Sequence, residues 1–86
     1  MAKKFDIEVA EKLSTTLYNT ADKMESETQN IQDKFKVLGE TFKDRAYSEF
    51  QGELNAADKT MAAIISDMRA LSRAVAEYKN KMNDLL

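Results

Sequence analysis

Two glutamates spaced four residues apart, Glu49 and Glu53, are the side chains whose type and spacing could hold a metal ion. On a helix they lie one turn apart and could present two carboxylates to the same ion, as in di-iron helical bundles. Those bundles complete the ligand set with histidine, and this chain contains no histidine and no cysteine. We therefore interpret both glutamates as solvated surface residues and expect no metal and no other cofactor.

Other arrangements that support catalysis are also missing from the sequence. It contains no glycine-rich phosphate loop and no nucleophile elbow, and its only glycines are Gly39 and Gly52. General acid–base chemistry most often uses histidine, which the chain lacks. The sequence therefore predicts a protein that is not an enzyme.

The composition narrows the partners that the chain could bind. Its 13 lysines and arginines are scattered among 15 acids, whereas a nucleic-acid face requires clustered basic residues. The longest uninterrupted apolar run, residues 61–65, is far shorter than the roughly 20 residues that span a bilayer. The opening MAKKFDIEVAEKL has acids where a signal peptide is apolar. We expect a protein that is cytoplasmic when made, has no cleaved signal peptide, and neither inserts into membranes nor binds nucleic acid.

Helical periodicity begins near the start of the chain, which contains no proline. Asp6 is a suitable N-cap for a first helix. Apolar and small residues then recur at heptad spacing, in the series Ala10, Leu17, Met24, Ile31, Leu38 and the series Ser14, Ala21, Thr28, Phe35, Phe42. This spacing predicts a helix that packs along one stripe.

The second half of the chain has a more regular pattern. Its two heptad series are Tyr47, Leu54, Met61, Met68, Val75, Met82 and Phe50, Ala57, Ile64, Leu71, Tyr78, Leu85. Every core position over six heptads is apolar or aromatic. The pattern therefore predicts one long second helix.

The two patterns are out of phase, and the slip falls within the segment ETFKDRAYSEF. The first register, carried forward, would place Arg45 and Glu49 in core positions. Such a slip fits either a stutter in one continuous coiled coil or a turn. Gly39 as a C-terminal residue in left-handed geometry, and Asp44 as an N-cap, favour the turn.

The fold that we predict is all-α, an antiparallel helical hairpin in a single domain over residues 1–86. Helix one is expected over about residues 7–39, the turn over about 40–44 and helix two over about 45–84. The alternative is a cytoplasmic coiled-coil scaffold or adaptor unrelated to secretion, built as a continuous rod dimer.

Each predicted helix carries more apolar surface than one neighbouring helix covers. Two hairpins that pair would bury this surface in a dimeric four-helix bundle. The second hairpin would be a second copy of the chain or a related small helical protein. We expect the partner interface to consist of Leu54, Met61, Ile64, Met68, Leu71, Val75 and Tyr78.

The turn segment FKDRAYSEF resembles the central turn of the WXG family, small helical hairpins exported by type VII secretion systems of Gram-positive bacteria and mycobacteria. The matching positions are Phe42 and Asp44, in place of the family's tryptophan and glycine, followed by Ala46, Tyr47 and Phe50. Phe42 lacks the indole N–H of tryptophan, and Asp44 lacks the conformational freedom of glycine. Chain length and the two heptad arms extend the resemblance over the full chain.

The resemblance implies a protein of a Gram-positive bacterium that is secreted, or that acts as a targeting chaperone, through helix–helix pairing. Family members form homodimers or heterodimers, and some bind the helical N-terminal region of an LXG-type toxin and engage the secretion machinery with it. The family's export signal is a tyrosine followed four residues later by an acid, and Tyr78 is followed by Met82 at that distance. The resemblance therefore implies the accessory member of a secreted pair.

Overall fold

The computed structural model describes residues 6–85, which form two long helices joined by a short turn. Helix α1 spans Ile7–Thr41 and helix α2 spans Arg45–Asp84. The two helices pack side by side in opposite directions, and the molecule measures 62 × 19 × 18 Å. The predicted all-α helical hairpin is confirmed. Because the chain folds back on itself, it does not form the continuous rod of the alternative interpretation.

Aspartate caps open both helices. The carboxylate of Asp6 accepts a hydrogen bond from the amide of Val9 at 3.0 Å, and that of Asp44 accepts one from the amide of Tyr47 at 2.9 Å. Each carboxylate satisfies an amide that has no carbonyl partner within its own helix. Both caps were predicted from the sequence, and both predictions are confirmed.

Gly39 does not end the first helix, so the prediction of a left-handed glycine at this position is wrong. Helix α1 continues to Thr41, and no described glycine has a positive φ. Gly39 is buried, and a β-carbon at this position would collide with the ring and hydroxyl of Tyr47. The glycine is required by the close approach of Tyr47 and not by its backbone conformation. The turn itself is residues 42–44, shorter than predicted.

The residues that face the other helix, which we call the seam, are buried or half-buried and recur mostly at alternating steps of three and four. On α1 the seam is Ala10, Ser14, Leu17, Ala21, Met24, Thr28, Gln32, Phe35 and Gly39. On α2 it is Tyr47, Leu54, Asp58, Met61, Ile65, Met68, Ser72, Val75, Lys79 and Met82. The buried members on both helices are mostly small, so the core is thin and no described large side chain is fully buried.

Polar contacts across the seam fix the register of the two helices. The hydroxyl of Ser14 donates to the backbone carbonyl oxygen of Ser72 at 2.9 Å, and the hydroxyl of Ser72 donates to the backbone carbonyl oxygen of Ser14 at 2.8 Å. Farther along, the Gln32 amide donates to the carboxylate of Asp58 at 2.8 Å. A shift of one residue would break these bonds and leave part-buried polar groups without partners.

The seam closes near the turn on an aromatic pair. The rings of Phe35 and Tyr47 stack with centroids 4.5 Å apart and planes 13° apart. The Tyr47 hydroxyl also donates to the carbonyl oxygen of Phe35 at 3.3 Å. Tyr47 therefore covers Gly39 in a position that two separate contacts hold.

Candidate partner-binding face

Of the twelve large apolar residues that are exposed among residues 6–85, seven together form the candidate site. They are exposed by 40 to 58%, although residues of these types bury readily when a neighbour is available. We call this set the apolar face: Val9, Leu13, Ile31 and Leu38 on α1, and Phe50, Ile64 and Leu71 on α2.

Six of the seven residues come one position before a seam residue. Ile64 precedes Ile65 and Leu71 precedes Ser72, and the same holds for all four members on α1. Phe50 lies one turn from two seam residues, Tyr47 and Leu54. Because each residue turns a helix by about 100°, a residue that precedes the seam projects to one fixed side of it.

Both helices project this side to the same surface of the hairpin. When two antiparallel helices face each other, the residues that come just before seam residues project to one surface of the pair. The residues that come just after seam residues project to the opposite surface. The ion pair between Asp22, which follows Ala21, and Arg69, which follows Met68, shows that the following residues do meet, at 3.0 Å. The preceding residues of α1 and α2 therefore share the other surface, and the apolar face is continuous across both helices.

The opposite surface is mostly polar, although Tyr18, which follows Leu17 and is 54% exposed, also projects to it. Arg69 donates to the carboxylate of Glu25 at 2.8 Å and to that of Asp22 at 3.0 Å. The hydrogen bond to Glu25, and then that to Asp22, raises the pKa of Arg69 above its usual value. An open groove beside these residues is lined by Gln32 and Ser66, among others. The ion pairs that join the two helices thus lie on the surface opposite the apolar face.

The predicted turn motif divides between structural and exposed residues. Asp44 caps α2, and Tyr47 packs over Gly39. Phe42 and Phe50 are 62% and 55% exposed, and Ala46 is also exposed. Phe42 and Phe50 therefore do not close the end of the seam within one chain.

The predicted partner interface also divides. Ile64, Leu71 and Tyr78 are 40%, 51% and 52% exposed. The remaining four predicted residues are half-buried in the seam, where they face α1: Leu54, Met61, Met68 and Val75. A single neighbouring helix covers one of the two heptad series of α2 and leaves the other outside.

Residues on α1 were missed as interface candidates. Leu13, Ile31 and Leu38 were assigned to the core of the first helix or to its flank, and the structure exposes all three. Their signal in the sequence is positional, since each comes one residue before a small or polar residue, namely Ser14, Gln32 or Gly39. The same signal in α2 marks Leu71 before Ser72.

The two glutamates considered for metal binding are exposed on α2. Glu49 forms an ion pair with Arg45 at 3.4 Å, and Glu53 forms none with any residue of 6–85. Among residues 6–85, no group of three or more acids, histidines or cysteines is close enough to hold a metal ion.

The accessible surface of the chain, 6995 Å², is large for its mass. A compact monomer of this mass has about 5,200 Å². The excess follows from the elongated shape and the thin seam. The excess is larger than the surface that a standard protein–protein interface removes from each partner, about 800 Å².

Searches of protein families, curated proteins and solved structures provide no relative for this chain. No family model matches it, and neither does any curated protein or solved structure. Within the described residues, neither helix is both long enough and apolar enough to cross a bilayer.

Proposed function

We propose that this protein is a helix-pairing module that works by docking its apolar face against helices of another protein. The observation that supports it most strongly is the two-sided character of the hairpin. Seven large apolar side chains lie on one surface, while the ion pairs of Arg69 lie on the other. Other exposed apolar residues, such as Tyr18 and Val37, lie singly, as is normal for a protein surface, whereas these seven share one surface.

The energetics of docking are favourable enough to matter. Full burial of a large apolar side chain contributes about 1.5 to 3 kcal/mol, and these side chains are already about half covered. Burying the rest of seven such residues contributes on the order of 7 kcal/mol from this chain alone. A matching surface on the partner would double that figure, and association costs about 4 to 15 kcal/mol.

The specific role that we propose is in type VII secretion, either as an exported protein or as a targeting chaperone for an exported effector. The support for this role is the resemblance of residues 42–50 to the turn of the WXG family, together with the hairpin form. The partner would be a second small helical hairpin or the helical N-terminal region of an LXG-type toxin. Because Tyr78 is followed by Met82 and not by an acid, we propose that a complete export signal comes from the partner.

The test is a pair of substitutions on opposite surfaces of α2. Leu71→Asp places a charge on the apolar face, and Ser66→Asp places the same charge on the polar side, five residues earlier on the helix. Both positions are exposed, so both variants should fold with wild-type helicity. In the native cell, Leu71→Asp should abolish association with the normal partner and delivery of the secreted protein, and Ser66→Asp should leave both unchanged. Equal delivery by the two variants would contradict the proposal.

A further inference from the structure

Methionine is concentrated in the seam. The chain has five methionines, and four of them are seam residues: Met24 on α1, and Met61, Met68 and Met82 on α2. All four are half-buried. The sequence contains no cysteine and no tryptophan, so the methionine thioethers are its side chains most readily oxidised by peroxides. The most oxidisable groups of the described chain therefore lie where the two helices meet.

Three of these methionines lie at one level in the middle of the hairpin. The serine pair on one side of them, and the contact between Gln32 and Asp58 on the other, set the level of α1 against α2. Counting ten residues inward from the serine pair, or eight from the second contact, places Met24 level with residues 62–66 of α2. The α2 seam residues around that level are Met61, Ile65 and Met68. We call Met24, Met61 and Met68 the methionine cluster.

Small and buried side chains lie beside the methionine cluster. Ala21 precedes Met24 by three residues and has no exposed surface, and Ile65, between Met61 and Met68, is 6% exposed. Half-burial leaves each methionine within reach of a small oxidant and keeps much of its side chain against apolar neighbours. The cluster thus combines access for an oxidant with surroundings that do not suit a polar group.

The side-chain donors that border the cluster are already engaged. Arg69 donates to two carboxylates of α1, and the Thr28 hydroxyl donates to the carbonyl oxygen of Met24 at 2.8 Å. The Gln32 amide donates to Asp58. A new acceptor among these groups either stays without a partner or weakens one of these contacts. Both results destabilise the packed hairpin.

Oxidation of methionine creates such an acceptor. A lone pair of the thioether sulfur attacks one oxygen of hydrogen peroxide, and an S–O bond forms as the O–O bond breaks. The second oxygen leaves as hydroxide and takes the proton of the transferred oxygen, which gives water. Sulfur gives up the electron pair that the peroxide gains. The sulfoxide is polar, and methionine sulfoxide reductases return it to the thioether.

We infer that the methionine cluster makes the hairpin a peroxide-sensitive device. Sulfoxides at Met24, Met61 and Met68 loosen the seam between the two contacts that set its register, and reduction of the sulfoxides restores it. This inference goes beyond the proposed function, because it concerns the hairpin itself and needs no partner. Loosening the seam also divides the apolar face, which extends over both helices, and that consequence alone rests on the proposed function.

Peroxide treatment followed by thermal unfolding tests the inference. The folded protein is treated with dilute hydrogen peroxide, its sulfoxides are located by peptide mass spectrometry, and its unfolding is followed by circular dichroism. We expect sulfoxides at the three cluster positions and a fall in Tm of at least about 5 °C. Treatment with both classes of reductase, one for each sulfoxide epimer, should restore the original Tm.

Leucine variants identify the methionines responsible. Leucine has nearly the volume of methionine and is tolerated in cores, so the triple variant Met24→Leu, Met61→Leu, Met68→Leu should keep wild-type helicity. Peroxide should lower its Tm much less than that of wild type. Met24→Leu alone should remove part of the fall in Tm. Met82→Leu is the matched control and should keep the full fall, because Met82 lies in the last turn of α2.

The Tm values support or overturn the inference without any partner present. A fall in Tm that requires the cluster and that the reductases reverse supports it. Sulfoxides at the cluster with an unchanged Tm overturn it, and so does a cluster that stays reduced while the urea-unfolded chain is oxidised under the same conditions. An equal fall in the triple variant also overturns it. The comparison of Leu71→Asp with Ser66→Asp in cells decides the proposed function separately.

Discussion

Ser14 and Ser72 bind each other reciprocally across the seam, with each hydroxyl donating to the other residue's backbone carbonyl oxygen at 2.9 and 2.8 Å. Ser72 is 5% exposed, and the two hydroxyl oxygens are 3.2 Å apart. These bonds lie near the open end of the hairpin, where the turn exerts the least control over register. They therefore hold the two arms together at the end farthest from the covalent connection.

Replacing Ser72 with alanine tests this contact. The variant loses the bond to the Ser14 carbonyl, and we expect the free energy of unfolding to fall by about 1 kcal/mol. Urea denaturation followed by circular dichroism measures the change. Ser66→Ala is the matched control, because this serine is exposed and lies six residues earlier on α2. An equal effect of the two changes would show that helix propensity and not the contact is responsible.

The two glycines should respond to alanine in opposite directions. Gly52→Ala meets no atom within 4 Å and should raise the free energy of unfolding by about 0.5 to 1 kcal/mol through helix propensity. Gly39→Ala must displace the Tyr47 ring from its stack on Phe35, and should lower the free energy of unfolding by about 1 to 3 kcal/mol. Thermal unfolding of the two variants provides the comparison.

A second substitution identifies the cause of the Gly39→Ala effect. Tyr47→Leu removes the ring and its hydroxyl, so adding alanine at position 39 in this background should cost much less than it does in wild type. A cost that is the same in both backgrounds would mean that Tyr47 is not the source of the strain.

The cap at the turn is testable without touching the seam. Asp44→Ala removes the carboxylate that accepts the Tyr47 amide and should lower the free energy of unfolding by about 1 kcal/mol. Asp44→Asn keeps a side-chain oxygen acceptor and should retain most of the stability. If the asparagine variant is as unstable as the alanine variant, the negative charge and not the hydrogen bond is what matters at this position.

The hairpin and both aspartate caps could be predicted because they depend on local chemistry. The phase slip before Tyr47 and the capping preference of Asp44 are both visible in the sequence. Gly39 was misinterpreted because its role depends on Tyr47, eight residues farther along, and a glycine near the end of a periodic segment is equally typical of a helix C-terminus.

The division between seam and apolar face could not be predicted from the heptad pattern. Met68 and Leu71 occupy alternate series of equal apolar character, and which series faces α1 is decided by the register of the two arms. That register depends on the serine pair and on the contact between Gln32 and Asp58, which are long-range and polar. Ser72 belongs to neither heptad series, and only the packed hairpin shows it as a buried small residue.

The most direct test of the central claim is site-specific photo-crosslinking in the native cell, with the reactive amino acid placed at one position at a time. The probe replaces Leu38, Ile64 or Leu71 on the apolar face, and Ser66 or Arg73 on the polar side. The account predicts adducts to a second protein molecule, either another copy or a helical partner, from the apolar positions and none from the polar ones. Adducts that are equally frequent from both surfaces, or absent from the apolar face, would contradict it.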